Sequence, residues 1–87
     1  MNALKFITYY PLAVARIAAG MLQWENIEAD DREALSYDIQ QLVEQRRALD
    51  VDAPELIDIN VVQADKTLNE WVQELNRIKD HEDTIRP

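Results

Sequence analysis

The 87-residue chain contains no cysteine, one glycine and three prolines. Without cysteine it can form neither a disulfide framework nor a thiolate metal site. The scarcity of glycine and proline argues against a β-sandwich or a series of hairpins, because those folds need many tight turns. The length suits one small domain. We therefore expect a single all-α domain, and the absence of disulfides permits a cytoplasmic location.

Side chains that carry chemistry are equally scarce. The chain has one histidine, His81, and one serine, Ser36, and no base stands where it could activate the serine hydroxyl. His81 belongs to the acidic segment DHED, which we interpret as part of a solvated tail and not as a metal site. A single glycine cannot form a phosphate-binding loop. We predict a protein that is not an enzyme and that has no cofactor and no metal ion.

The charge is unevenly distributed along the chain. Seventeen acids and nine bases give a net charge of −8. Residues 1–24 contain Lys5 and Arg16 and no acid, so the remainder holds all 17 acids against seven bases, a net −10. Such a field opposes direct binding of nucleic acid and attracts a protein partner with a basic surface.

The apolar segment over residues 3–24 raises the question of a membrane span. Arg16 lies near its centre, and an arginine in mid-bilayer costs about 2.5–3.5 kcal/mol. We therefore expect an ordinary buried helix and no membrane span, with a signal peptide or an interfacial helix as the alternatives.

Apolar spacing and helix-start signals predict a three-helix bundle. The helices are expected over about residues 11–24, 30–49 and 54–80, within a domain of residues 1–80 that precedes a polar tail over 81–87. Pro11 suits a first helical turn, so residues 3–9 are either a helical turn before a kink, which we favour, or an extended arm. Asp30 and Asp52, each followed three residues later by Glu, resemble capping boxes.

The third helix carries the most regular pattern. Its apolar residues recur at spacings of 4, 3, 4, 3, 4 and 3, at Ile57, Val61, Ala64, Leu68, Trp71, Leu75 and Ile78. This heptad stripe predicts one long helix, with a strand over 56–62 as the alternative. The link from helix two is short, so these two helices should form an antiparallel hairpin whose stripes face each other. Helix one would cover the remaining apolar side.

Helix one is apolar on two faces. The first consists of Val14, Ile17, Met21 and Trp24, and the second of Leu12, Ala15, Ala19 and Leu22. The stripe of helix two is shorter, and Arg46 interrupts it. This is more apolar surface than one small bundle hides, so we predict a homodimer. Trp24 and Trp71 are the expected interface anchors, with Val72 exposed beside the stripe.

These features lead to three hypotheses on function. The first is a small acidic interaction module, an adaptor or inhibitor that occludes another protein; chains of this kind are frequent in phages and mobile elements. The second is an assembly subunit of a larger helical complex. The third is a DNA mimic that uses Asp30, Asp31, Asp50 and Asp52, although helix capping also accounts for these acids. Duplex DNA carries one negative charge per ~1.7 Å of its axis. The net charge of −8, spread along a ~40 Å helix, gives only one per roughly 5 Å. A DNA mimic would therefore have to self-associate to raise its charge density.

Overall fold

The computed structural model describes the backbone of residues 2–85 and the side chains of residues 2–81. Three α-helices follow one another: α1 over Ala3–Leu22, α2 over Ala29–Asp52 and α3 over Ile59–Ile85. Short 3-10 turns, Trp24–Asn26 and Pro54–Leu56, lie in the two connections. The described residues contain no strand, so the all-α prediction is confirmed and the alternative strand over 56–62 is wrong. None of the helices in this part of the chain is both long and apolar enough to cross a membrane.

The helices form an elongated bundle of 48 × 21 × 21 Å. The start of α1 lies beside the end of α2, where Ala3 and Leu49 line one small cavity. The end of α1 lies beside the second half of α3, where Met21 and Ile78 line another. The closest backbone packing joins α1 to α3, and α2 approaches α3 less closely. Helix α1 is thus the main neighbour of α3 and does not merely cover a hairpin of α2 and α3.

The core is built from one face of each helix. Its buried apolar residues are Phe6, Tyr10, Ala13, Val14, Ile17, Met21, Ile39, Leu42, Leu49, Ala53, Val61, Ala64, Leu68 and Leu75. Four of the seven stripe residues of the third helix are in this set, and Ile57, Trp71 and Ile78 pack against it half-buried. The apolar stripe of α3 therefore serves as core.

Helix α1 begins at Ala3, well before the predicted start at Pro11. Residues 3–9 are therefore helical, as the favoured alternative requires, but they belong to the same helix as residues 10–22 and do not form a separate turn. The Asn2 side chain caps the helix, because its Oδ1 accepts from the backbone N–H of Leu4 at 2.9 Å. Pro11 lies inside the helix and not in its first turn. A proline in a helix interior costs about 3 kcal/mol. Burial of Tyr10, beside the proline, is part of the tertiary packing that offsets this cost.

The predicted caps of the other two helices are wrong. Helix α2 begins at Ala29 without any side-chain cap, which places Asp30 in its first turn. Asp52 is the last residue of α2 and does not start the next helix. Asp58 lies immediately before α3, and its Oδ1 accepts from the N–H of Val61 at 3.0 Å. An aspartate caps only where the chain is extended just before the helix, and that point depends on where the connection turns.

The far end of α3 also differs from the prediction. The helix continues to Ile85, beyond the predicted end near residue 80, so the segment predicted as a tail is helical as far as residue 85. No glycine or proline interrupts the sequence between residue 59 and Pro87, which leaves nothing in it to break the helix. Residues 86 and 87 of the predicted tail lie outside the described residues.

A polar network joins the three helices. The buried Tyr10 hydroxyl donates to Asp65 Oδ1 at 2.6 Å, and Arg46 donates from Nε and Nη2 to the two Asp65 oxygens at 2.8 and 2.9 Å. Arg46 Nη1 also donates to Asp50 Oδ1 at 2.7 Å. Burial and the bond to Asp65 raise the pKa of Tyr10, and the bonds to Asp65 and Asp50 raise the pKa of Arg46. The arginine that interrupts the apolar stripe of α2 therefore connects α2 to α3 and, through Tyr10, to α1.

Candidate interaction surface

The two apolar faces of α1 have different environments. On the inner face, Val14 and Ile17 are 2 % and 4 % exposed. On the opposite side, Leu12 and Leu22 are 64 % and 71 % exposed. We call this second side the outer face, and it consists of Leu4, Leu12, Ala15, Ala19 and Leu22, which are all exposed. Their spacing of 8, 3, 4 and 3 places them along one side of the helix. Since α2 and α3 both pack on the inner face, the outer face is left open to solvent.

A groove of about 950 Å³ runs between the outer face and the first half of α3. Small side chains line it on α1, at Ala15, Ala18 and Ala19. Polar uncharged side chains line it on α3, at Asn60, Gln63 and Thr67, and Asp58 is the one acid in the lining. An elongated surface with small side chains beside larger apolar ones is suited to a helix of another protein.

Two cations lie along the opposite edge of the outer face. Lys5 stands seven residues before Leu12 and Arg16 four residues after it, so both are on the Leu12 side of the helix. Both side chains are exposed. The ion pairs among the described residues involve Arg46 and Arg77 only. The outer face is therefore an apolar strip bordered by unpaired positive charge in a chain whose net charge is −8.

The predicted interface anchors Trp24 and Trp71 come together in the structure. Both are half-buried and line a cleft of about 580 Å³ near the end of α1. The Arg32 guanidinium lies 5.4 Å from the centroid of the Trp24 ring, and Arg32 Nε donates to the Trp24 carbonyl oxygen at 2.8 Å. Val72, expected to be exposed, is half-buried against the core. The cleft is thus occupied at one side by the chain's own arginine.

The four aspartates proposed for DNA mimicry lie at the two ends of α2. Asp30 and Asp31 lie in the first turn of α2, and Asp50 and Asp52 in its last turn. All four are exposed. The 20 residues from Asp30 to Asp50 correspond to about 30 Å of helix.

Within residues 2–81, no three histidine or carboxylate side chains are placed to hold a metal ion.

Comparison with known proteins yields no match: no family model fits the chain, and neither a curated protein nor a solved structure is significantly similar to it. The functional interpretation accordingly depends on the geometry and charge of the surface.

Proposed function

We propose that this chain is a small non-enzymatic protein-interaction module, which binds a partner protein through the outer face of α1 and occludes part of it as an adaptor or inhibitor does. The exposure of the outer face carries this proposal, because Leu4, Leu12 and Leu22 are each at least 60 % exposed. Single exposed leucines are ordinary on protein surfaces. Here three of them lie along one side of a helix, and Ala15 and Ala19 join Leu12 to Leu22 in an apolar patch of the kind that marks an interaction site.

The size of the apolar contribution limits what the face can do alone. Full burial of an exposed leucine contributes about 1.5–3 kcal/mol, so covering three that are 60–71 % exposed contributes about 3–6 kcal/mol in total. Association costs about 4–15 kcal/mol in lost freedom of motion. The leucines therefore need additional contacts from the groove before a complex is stable.

A capture experiment with matched variants tests the proposal. The purified chain, Leu12→Asp and Val51→Asp are used as bait in extracts of the source cell, and captured proteins are identified by mass spectrometry. Val51 is 82 % exposed but lies on α2, outside the outer face. We expect the parent and Val51→Asp to capture the same partner and Leu12→Asp to lose it, with all three equally folded by circular dichroism. Equal capture by all three would refute the proposal.

The salt dependence of capture separates this function from DNA mimicry. A contact centred on apolar side chains persists at high salt, whereas a charge-dominated contact weakens steeply as salt rises. We expect the captured partner to be retained at high salt and to tolerate charge reversal at Asp30 and Asp52. Loss of the partner under either condition would favour the mimic.

Dimerisation stays a prediction. The open outer face supports it, since a second copy could cover this surface as well as another protein could. Sedimentation of the parent and of Leu12→Asp over a range of concentrations measures whether the outer face joins two copies.

A further inference from the structure

We infer that the outer face of α1 binds a partner α-helix that is apolar on one side and carries carboxylates along one edge, spaced to pair with Lys5 and Arg16. This inference rests on the proposed function, because it specifies the kind of partner that the same surface takes. For this surface it replaces the basic partner that the net charge predicts, because the charged side chains of α1 are basic.

The first observation is the lack of internal partners for these two cations. The chain has 17 acids, and both Arg46 and Arg77 pair with acids of the chain itself. Lys5 and Arg16 have no such pairs among the described residues, and α1 contains no acid. Asp38 of α2 lines the same cleft as Arg16 but forms no ion pair with it. As the structure places them, neither cation is neutralised by an acid of the chain, so this edge is open to carboxylates of another molecule.

The second observation is the spacing of the two cations. Lys5 and Arg16 are 11 residues apart, which is close to three helical turns, or about 16–17 Å along the axis. Residues 11 apart on any α-helix lie on the same side of it, because 11 residues are close to three full turns. A partner helix that lies along α1 with acids at positions i and i+11 can therefore meet both cations at once.

The third observation is the shape of the surface between the charges. Ala15, Ala18 and Ala19 line the groove with small side chains, which allow the backbone of another helix to approach closely. Leu4 and Leu22 stand near the two ends of α1 and are strongly exposed. Their separation of 18 residues, about 27 Å, fits an apolar strip of about five turns on the partner.

The fourth observation is the asymmetry of the two edges. Asn60, Gln63 and Thr67 of α3 line the groove opposite the basic edge and carry no charge, and Asp58 lies at one end. These side chains offer hydrogen bonds but do not attract carboxylates. Acids are therefore favoured on only one edge of the partner helix, and this fixes its orientation about its own axis.

A second copy of the chain fits this charge pattern less well. An antiparallel pairing of two α1 helices about a twofold axis places like edges side by side, so the Lys5 and Arg16 edges of both copies would be adjacent. No acid of α1 is present to separate them. Like charges brought together in this way oppose association.

Designed peptides provide the test. Two helical peptides of about 22 residues share one composition, with a Leu/Ala strip and two glutamates. In the matched peptide the glutamates occupy i and i+11 on one edge of the strip, and in the control the second glutamate is moved to i+9, on the opposite side. Calorimetric titration into the full chain should show that the matched peptide binds about two- to fivefold more tightly, as expected for the one exposed ion pair by which the two peptides differ.

Charge reversal in the protein completes the test. The double variant Lys5→Glu with Arg16→Glu should lose the preference for the matched peptide and prefer its lysine counterpart. The double variant Arg47→Glu with Lys66→Glu changes the net charge equally at exposed positions on α2 and α3, and it should behave as the parent does.

Each other outcome overturns the inference in a distinguishable way. Equal binding of both glutamate peptides, abolished by Leu12→Asp, would refute the charged edge and leave the proposed function standing. Failure of both peptides, together with partner capture that ignores Leu12→Asp, would refute both proposals. Leu12-dependent binding to vesicles of phosphatidylserine and phosphatidylcholine, or Leu12-dependent self-association without peptide binding, would replace the partner helix by a membrane surface or a second copy.

Discussion

The inner and outer faces of α1 are both apolar in sequence, yet the fold buries only one of them. Ile17 on the inner face is 4 % exposed, and Leu12 on the outer face is 64 % exposed. A helix that is apolar on two sides is expected to lie between neighbours, but here both neighbouring helices pack on the same side. The difference shows that the outer face is not required for the fold of one chain. Its composition therefore calls for an explanation outside the fold, and the proposed partner protein would supply one.

The largest effect should come from a charge on the inner face. Ile17→Asp places an unpaired carboxylate in the core, and we expect it to lower the free energy of unfolding by more than about 4 kcal/mol. A domain of this size has roughly 4–13 kcal/mol in total, so the variant should unfold at a much lower urea concentration than the parent. Urea denaturation followed by circular dichroism measures this. An Ile17→Asp protein that unfolds at the urea concentration of the parent would show that the inner face is not core.

A smaller loss should follow from breaking the polar network behind the inner face. Arg46→Ala leaves the Asp65 carboxylate without its two-bond partner, and the Asp65 side chain is 34 % exposed, so water compensates in part. We expect a loss of about 2–3 kcal/mol in the free energy of unfolding. The control Arg47→Ala changes an exposed arginine of the same helix and should cost less than about 0.5 kcal/mol. Equal losses would mean that the network does not stabilise the bundle.

Removal of the Tyr10 hydroxyl should have a milder effect that depends on pH. Tyr10→Phe loses the bond to Asp65 and should cost about 1 kcal/mol near neutral pH. Burial raises the pKa of Tyr10 in the folded state, so the folded chain keeps a proton that the unfolded chain releases above about pH 10. The Tyr10 contribution is complete below that pH and declines as the pH rises further.

Urea denaturation at about pH 8 and about pH 11 measures this dependence. The parent should lose more stability between the two conditions than Tyr10→Phe does. If both lose the same amount of stability, ionisation of Tyr10 is not coupled to folding.

The regular parts of the fold could be predicted from the sequence. The apolar period of helix three is local information, and Val61, Leu68 and Leu75 are buried as it requires. The start of α1 could not be predicted, because Pro11 is a common first-turn residue and only tertiary packing keeps it inside a helix. The role of Arg46 depends on Asp65, which is 19 residues away on another helix. A pattern within one helix contains no information about such a pairing.

The candidate surface was only partly predictable for the same reason. The second apolar face of helix one is visible in the sequence, but its exposure depends on the side of α1 against which α2 and α3 pack. The tryptophans Trp24 and Trp71 were the natural prediction for an interface, since aromatic residues dominate interfaces in general. In the sequence, Lys5 and Arg16 are notable only because the first 24 residues contain no acid. The structure links them to a candidate surface, because both cations are exposed on one edge of an open apolar strip.

The smallest effect on stability should come from a charge on the outer face. Leu12→Asp makes the same kind of replacement as Ile17→Asp, five residues away, but at a side chain already in contact with water. The new carboxylate would also stand four residues before Arg16, a helix spacing that contributes about 0.2–0.5 kcal/mol and offsets the lower helix propensity of aspartate. We expect a change within about 0.5 kcal/mol in the same urea experiment. A loss of more than about 2 kcal/mol that grows with protein concentration would mean that a second copy covers the outer face, because only association makes stability depend on concentration.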